Sequence, residues 1–388
     1  MRFARVVSSC HCCNPAADQL VEKGNLDLMQ LDYCWPIEQL GEVEELRKYA
    51  TGLSEQLRTL HRWMYLDLKL KIITNAGGGD SLGCVERLAE YLCEHDHGEM
   101  PLSLIRGDNV LAILDDLINQ GIKFEHDLEE EALQTTGKNI VAANVEIGAG
   151  PLVAALHEGA RILVTGCYDM AAPSIAAGIT THDWSWHDYD TLARMAVAAN
   201  SQSTVVEVGS TGKVSTMKVA GVQHHNELEN DCLAHADVCC RIEDEYLKQL
   251  EITSPMDAGI TGSAPNDCWR LRLVRHAGYK FEAFVASAQR KSEQLAKRLA
   301  GDQRNCDIIS THLIEEDCLS LFRVTSTEKL ACQQSLHALL NLCSQQPNDF
   351  KLLGQVPKTV NNLEAIHCLV PKDQILVSVD TRLANEWR

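Results

Sequence analysis

KIITNAGGGDSLGCVERLAEYL, residues 71–92, reads as strand, loop and helix in that order. Lys71-Ile72-Ile73-Thr74 is short and rich in β-branched residues, while Leu82, Val85, Leu88, Ala89 and Leu92 recur at helical spacing. Between them Gly77, Gly78 and Gly79 are flanked by Asn75 and by Asp80-Ser81, either of which can cap the helix. Permissive backbone is thereby aimed at a helix N-terminus, where free N–H groups and the positive dipole end favour an anion or a polar oxygen. The loop reads equally as a tight strand-to-helix turn with nothing bound. It matches neither GxGxxG nor GxxxxGK[ST], so neither a dinucleotide nor ATP is indicated.

Outward from this stretch the same alternation continues. Phe3–Ser9, Leu26–Tyr33, Pro101–Ile105, Asn139–Ala143 and Arg161–Thr165 read as strands. Ala17–Lys23, Pro36–Ala50, Leu53–Leu68, Val110–Gln120 and Pro151–His157 read as helices. Parallel neighbours need a crossover, usually helical, so the expected class is α/β, a mostly parallel sheet with helices on both faces. Ligands bind outside the carboxyl ends of such strands. Polar residues fall there repeatedly: Asp32, Asn75 with Asp80, Asp108 with Asn109, Asn144 with Glu146, and Asp169. Asn75, Gly77, Gly78, Asp80, Asp108 and Asp169 are expected to line one crevice.

Beyond the repeat, His182–Asp190 (HDWSWHDYD) concentrates aromatics that are otherwise only 5% of the chain. It reads as a lid over the crevice or as packing before a helix at Thr191–Ser201, with packing favoured. His224-His225 reads as a solvated turn, since adjacent histidines chelate one metal less well than an i, i+4 pair. From Trp269 the pattern changes. Trp269–Arg275 and Tyr279–Val285 alternate around His276-Ala277-Gly278 as a hairpin. A helix at Ala288–Ala300, strands near Cys306–Ser310 and Leu319–Thr325, a helix at Glu328–Cys343 and a strand at Gln374–Val379 complete a smaller C-terminal α+β domain. The expected division is residues 1–252, a linker over 253–268 carrying Pro255, Gly259, Gly262 and Pro265, and residues 269–388.

With 388 residues and 45% hydrophobic content the chain can bury a large core. Lys and Arg number 35 against 54 Asp and Glu, a net charge of −19, which argues against a nucleic-acid or anionic-membrane binder. No apolar run approaches the roughly 18 to 20 residues a membrane span needs, and the expected compartment is the cytoplasm. The sixteen cysteines then read as reduced thiols, most of them small hydrophobes in apolar settings. Cys10-His11-Cys12-Cys13 is a weak zinc signal, because neighbours on a strand face opposite ways and no second CxxC completes four ligands.

Several short blocks, in order, resemble the acyclic terpene utilisation family. Gly24-Asn25-Leu26-Asp27 with Leu31-Asp32-Tyr33 is similar to its G-x-LD…DY segment, and Thr74-Asn75-Ala76-Gly77-Gly78 to its TNAGG core. Gly107-Asp108 stands at its GDD. Asn144 through Gly148-Ala149, Ala154-Ala155-Leu156 and Gly159-Ala160 resemble its N-x-x-x-GA…AL-x-x-GA run, and Thr165-Gly166 to Asp169 its TGR-x-x-D. Trp186, Asp188–Ala193 and Ala236-Asp237-Val238 continue it. The chain departs at Cys167, where the family has the TGR arginine, and at Asn109, the second acid of GDD. It departs again near Ala199-Asn200, which lack the GH-x-x-EC residues.

The resemblance implies an enzyme acting on a small carboxylate or an acyl thioester in terpenoid or branched-chain catabolism. Lyase or hydratase chemistry needs an acid, a base and an oxyanion site. Asp32, Asp108 and Asp169 are the candidate catalytic groups, or ligands for a hard cation such as Mg²⁺. Asn75, Gly77, Gly78, Gly79, Asp80, Asn109 and Asn144 are the candidate ligand-binding groups, with the glycine N–H groups facing an oxyanion or phosphate. The expected partners are a small-molecule ligand and further copies of the chain. The alternative is a non-catalytic binding or assembly subunit with a relic crevice, which the departures favour.

Overall fold

The structure is a computed structural model and describes residues 1–9, 11–34, 48–66, 69–121, 125–126, 139–199, 203–219, 222, 268–287, 295, 306–312, 319–347 and 349–387. Most of the helix expected at 36–50 and of that at 288–300 lies outside the described residues. So do the linker (Cys268 excepted), His224-His225, Ala236-Asp237-Val238 and Cys10.

The first sheet has eight strands, in the order β15 (Ser378–Leu383), β4 (Pro101–Arg106), β7 (Ile162–Val164), β3 (Lys71–Thr74), β2 (Leu28–Cys34), β1 (Arg2–Ser9), β8 (Val205–Val208), β9 (Val214–Met217). The five central strands are mutually parallel, and β15, β8 and β9 add antiparallel edges. The sheet is therefore mixed, with its parallel part in the middle. Period-two alternation is clean: Ala4, Met29, Leu31, Ile72 and Val164 pack on one face, while Phe3, Leu28, Ile73 and Leu163 pack on the other.

The first face is covered by α1 (Ala16–Gly24), α2 (Gly52–Leu66) and α3 (Ser81–Glu94). The second is covered by α4 (Leu114–Asn119), α5 (Ala149–His157), α6 (Ala172–His182) and α7 (Tyr189–Ala198). The α3 start is as the sequence implies, since Asp80 caps it by accepting from the Gly83 N–H at 2.9 Å. Trp184 is buried against Gly178 of α6 and donates its indole N–H to Ser210 O at 2.8 Å. Close by, His182 meets Met1 and Val208 at the amino ends of the strands, so Trp184 is core packing rather than a lid.

The second sheet is built around β10 (Cys268–Ser287), one continuous strand of 20 residues where a hairpin was expected. Its first half pairs antiparallel with β14 (Val360–Pro371) and β6 (Ile140–Val145), its second half with β12 (Leu319–Ser326) and β13 (Phe350–Leu353). His276-Ala277-Gly278 makes a register shift, not a reversal. Gly278 sits at φ +114° with the backbone of Ser326 against it, a bulge that only a glycine fits easily. β11 (Asp307–His312) joins β12, β5 (Glu125–His126) joins β14, and α8 (Lys329–Gln345) packs on the far half. The chain crosses the expected division in both directions: β5 and β6 go to the second sheet, and β15 returns to the first. β6 was expected in the parallel sheet and the last strand in the C-terminal unit; the pairings overturn both. Among the described residues no helix is long and apolar enough to cross a membrane.

Candidate functional site

The loops leaving β3 and β7 head for opposite faces, the first into α3 and the second into α6. In sheets of this kind the crevice between two such strands is where ligands bind. Here the two loops are in contact. Thr165 N donates to Thr74 O at 3.1 Å and Gly77 N to Thr165 O at 3.1 Å, so the strand pairing runs on beyond the sheet. A Cβ on Gly77 would lie 2.7 Å from Thr165 O, and one on Gly166 would overlap both Gly78 O and Asp108 Oδ2. These glycines let two backbones and a carboxylate converge.

The same contacts use up the loop's donors. Gly77 N–H goes to Thr165 O, Gly78 N–H to Asn75 O at 3.2 Å and Gly79 N–H to Lys48 O at 3.0 Å. The Asn75 side chain is also engaged, with Oδ1 accepting from Tyr33 N at 2.7 Å and Nδ2 donating to Tyr33 O at 3.4 Å. Asp80 caps α3, and Asn109 Oδ1 accepts from Leu111 N at 3.2 Å. The glycine loop thus joins the strands rather than presenting N–H groups to a ligand. Gly78→Val is expected to cost about 1–3 kcal/mol, because φ there is +48°. It should leave ligand affinity of the folded fraction unchanged. Lost affinity with an unaltered melting midpoint would restore the anion reading.

Asp108 and Asp169 follow the neighbouring strands β4 and β7 and are both buried, 3% and 6% exposed. The segment Asn144–Ile147 stitches their loops: Val145 N donates to Asp108 O at 2.7 Å, Asp169 N to Ile147 O at 3.0 Å, and Ile147 N to Cys167 O at 3.3 Å. Asn144 Nδ2 reaches Asp108 Oδ2 at 3.4 Å, and Asp169 Oδ1 accepts from Ala171 N at 2.9 Å. Glu146 N donates to Arg270 O at 2.8 Å, which ties the cluster to the second sheet.

Burial is the largest influence on both carboxyls. It raises Asp108 to about 7 against the smaller opposing effects of the Asn144 hydrogen bond and of Arg272. It raises Asp169 to about 7, helped by the negative charge of Glu146 and opposed by the Ala171 N–H and Arg270. Cys167, between them, has its thiol pushed up to about 12 by burial, so it is an inert thiol rather than a nucleophile.

Asp32 belongs to an adjoining cluster under the same loop. Its carboxylate accepts from the Tyr168 hydroxyl, the Arg5 guanidinium and Gln30 Nε2, the last at 3.1 and 3.2 Å, so both oxygens are occupied. A carboxylate so bound anchors Tyr168 and the loop carrying Asp169; it is not free to take a proton from a ligand.

Arg270, Arg272 and His367 escaped the sequence reading. Arg270 Nη1 is 3.6 Å and His367 Nδ1 4.0 Å from Glu146. The alternation Arg270-Leu271-Arg272-Leu273 was a visible signal of a basic strand face. Its destination was not, because β10 meets β6 across more than a hundred residues of chain. Among the described residues no group of three or more His, Cys, Asp or Glu is set to hold a metal ion. A recess lined by Met1, Asp27, Lys69, Lys71 and Thr180 lies at the amino end of the sheet, away from the carboxyl cluster.

Buried acids at the carboxyl ends of neighbouring strands, with Arg270 beside Glu146, sit on a mixed sheet covered by helices, which defines the class as an α/β protein. The chain belongs to the acyclic terpene utilisation family: the model described as acyclic terpene utilisation family protein AtuA matches residues 12–207. No curated protein and no solved structure matches it. Membership links the protein to acyclic terpene utilisation. The matched span contains Asp32, Asp108, Glu146 and Asp169 and stops before Arg270, Arg272 and His367.

Proposed function

We propose that the protein is an enzyme acting on a small carboxylate or acyl thioester by acid–base chemistry of the lyase or hydratase type, in terpenoid or branched-chain catabolism. One observation carries the reading: Asp108 and Asp169, on neighbouring strand ends, are both held near 7. Near neutral pH such a pair has one carboxyl protonated and one ionised for much of the time, the division of labour that elimination and hydration require. The ionised member takes the proton from the carbon beside the ligand's carbonyl. The protonated member gives its proton to the departing hydroxyl, and the roles exchange in the direction of water addition. Charge growing on the ligand's oxygen would be met by Arg270 or Arg272, a role the engaged glycine N–H groups do not fill.

The second reading, a binding or assembly subunit, draws on the engaged glycine loop and on the saturated Asp32. A thermal-shift panel of unsaturated and hydroxylated acids, their thioesters, phosphates and divalent cations including Mg²⁺, followed by mass analysis of each hit, separates the two. A ligand near 100 times its Kd should add roughly 2.7 kcal/mol of stability. A hit whose mass changes by one water supports the enzyme. Binding with no change of mass in any hit would sink it.

A further inference from the structure

We infer that Arg272 is the anchor for a carboxylate on the ligand, so that the substrate of the Asp108–Asp169 pair is a free acid rather than a neutral thioester; this rests on the reading of that pair as the site. On β10 Arg272 is directly opposite Asn144 of β6 on one side and His367 of β14 on the other. Residues so paired put their side chains on the same face of a sheet, near enough to touch. Asn144 is also the residue whose amide reaches Asp108, so Arg272 stands beside the carboxyl cluster. Its charge is felt by both Asp108 and Cys167.

The two arginines of this face differ. Arg270 lies 3.6 Å from Glu146. Arg272 has its Nε buried with no hydrogen-bond partner among the described residues. A guanidinium offers a planar fork of N–H donors that a carboxylate meets with two parallel bonds, and the partnerless Nε of Arg272 beside the carboxyl cluster points to a ligand that engages this guanidinium. Asp108 is a poor substitute, because burial raises its carboxyl to about 7 and leaves it only partly ionised near neutral pH. A methyl ester or simple thioester brings no negative charge to balance the guanidinium. Phosphate would share part of this chemistry.

A bound carboxylate also places a negative charge near Asp108, whose other neighbours are Asn144 and Cys167, and so favours the protonated acid there. Binding of the acid should take up protons near neutral pH.

The test uses the full chain with geranate and isovalerate, each beside its methyl ester and its pantetheine thioester, and with inorganic phosphate. Calorimetry in two buffers of different ionisation heat measures affinity and proton uptake together. At least one acid should bind, roughly 100-fold or more tighter than its ester and thioester, with net proton uptake. Arg272→Gln should abolish that preference while ester affinity changes little, and Arg272→Lys should restore it in part, as a point charge without the fork. Should Arg272→Gln fail to fold, the ligand series on the parent chain and on Arg272→Lys decides alone. A thioester that outcompetes its acid, phosphate as the sole binder, equal loss of acid and ester affinity in Arg272→Gln, or no binding of either acid would each overturn the assignment. The acid–base reading is judged separately, by the pH dependence of the Asp108 and Asp169 variants.

Discussion

Asp108→Asn should be more stable than the parent chain at pH 8, by on the order of 4 kcal/mol, and inactive. Folding moves this carboxyl from its ordinary 3.8 to about 7. Below 3.8 both folded and unfolded chains hold the proton and the shift has no effect. Between 3.8 and about 7 the unfolded chain releases the proton more readily, so stability is lost as pH rises through that window and stays lost above it. Asparagine cannot ionise and escapes the loss, and its oxygen can still accept from the Asn144 amide. The advantage should shrink to nothing near pH 4. Asp169→Asn should behave likewise, since its folded value is also about 7. Each variant should lose turnover by roughly 10²–10⁴-fold. Denaturant titrations of the three proteins at pH 4, 6 and 8 check the pattern. An Asp108→Asn less stable than the parent at pH 8 would mean that the native carboxylate is ionised and compensated, which removes the basis for the acid–base pair.

Gly166→Ala is expected to cost about 3 kcal/mol, the upper end of the usual range for a core overpacked against groups that cannot yield. The new methyl would overlap Gly78 O, which is backbone, and Asp108 Oδ2. Shifting the carboxylate relieves only half of the conflict. Gly150→Ala is the control: a Cβ there has nothing within 4 Å, and in the first turn of α5 it should be neutral or stabilising by up to about 1 kcal/mol. Equal midpoints for the two variants would show that the β3 and β7 loops do not meet as described.

The parallel core was legible because each of its strands is a short apolar run followed by a polar turn and an amphipathic helix, and that local grammar implies the crossover. Strand direction at the edges was not. Nothing in Val205–Val208 or Ser378–Leu383 says which way a neighbour runs, and the turn through Gly209 and Gly212 that makes β8 and β9 a hairpin gave only a weak cue. Gly278 was read as a turn because glycine signals reversals and bulges alike; the partner strand β12 decides between them. Asp108 and Asp169 were singled out from their places after strands, and both prove to be buried. Asp32 had the same signature, and only the three-dimensional arrangement of Arg5, Gln30 and Tyr168 shows it occupied. Arg270 and Arg272 come from a strand that no local pattern ties to β4 or β7.

The return of β15 to the edge of β4 has a consequence during synthesis. Ser378–Leu383 leave the ribosome long after the strand they cover, which is made near residue 101. Until then the nascent chain carries β4 as an open edge, with unpaired N–H and C=O groups able to recruit a strand from another chain. Completion of the first sheet therefore waits until Ser378–Leu383 have emerged. Premature termination even shortly before residue 378 should yield aggregates rather than a slightly shorter folded protein.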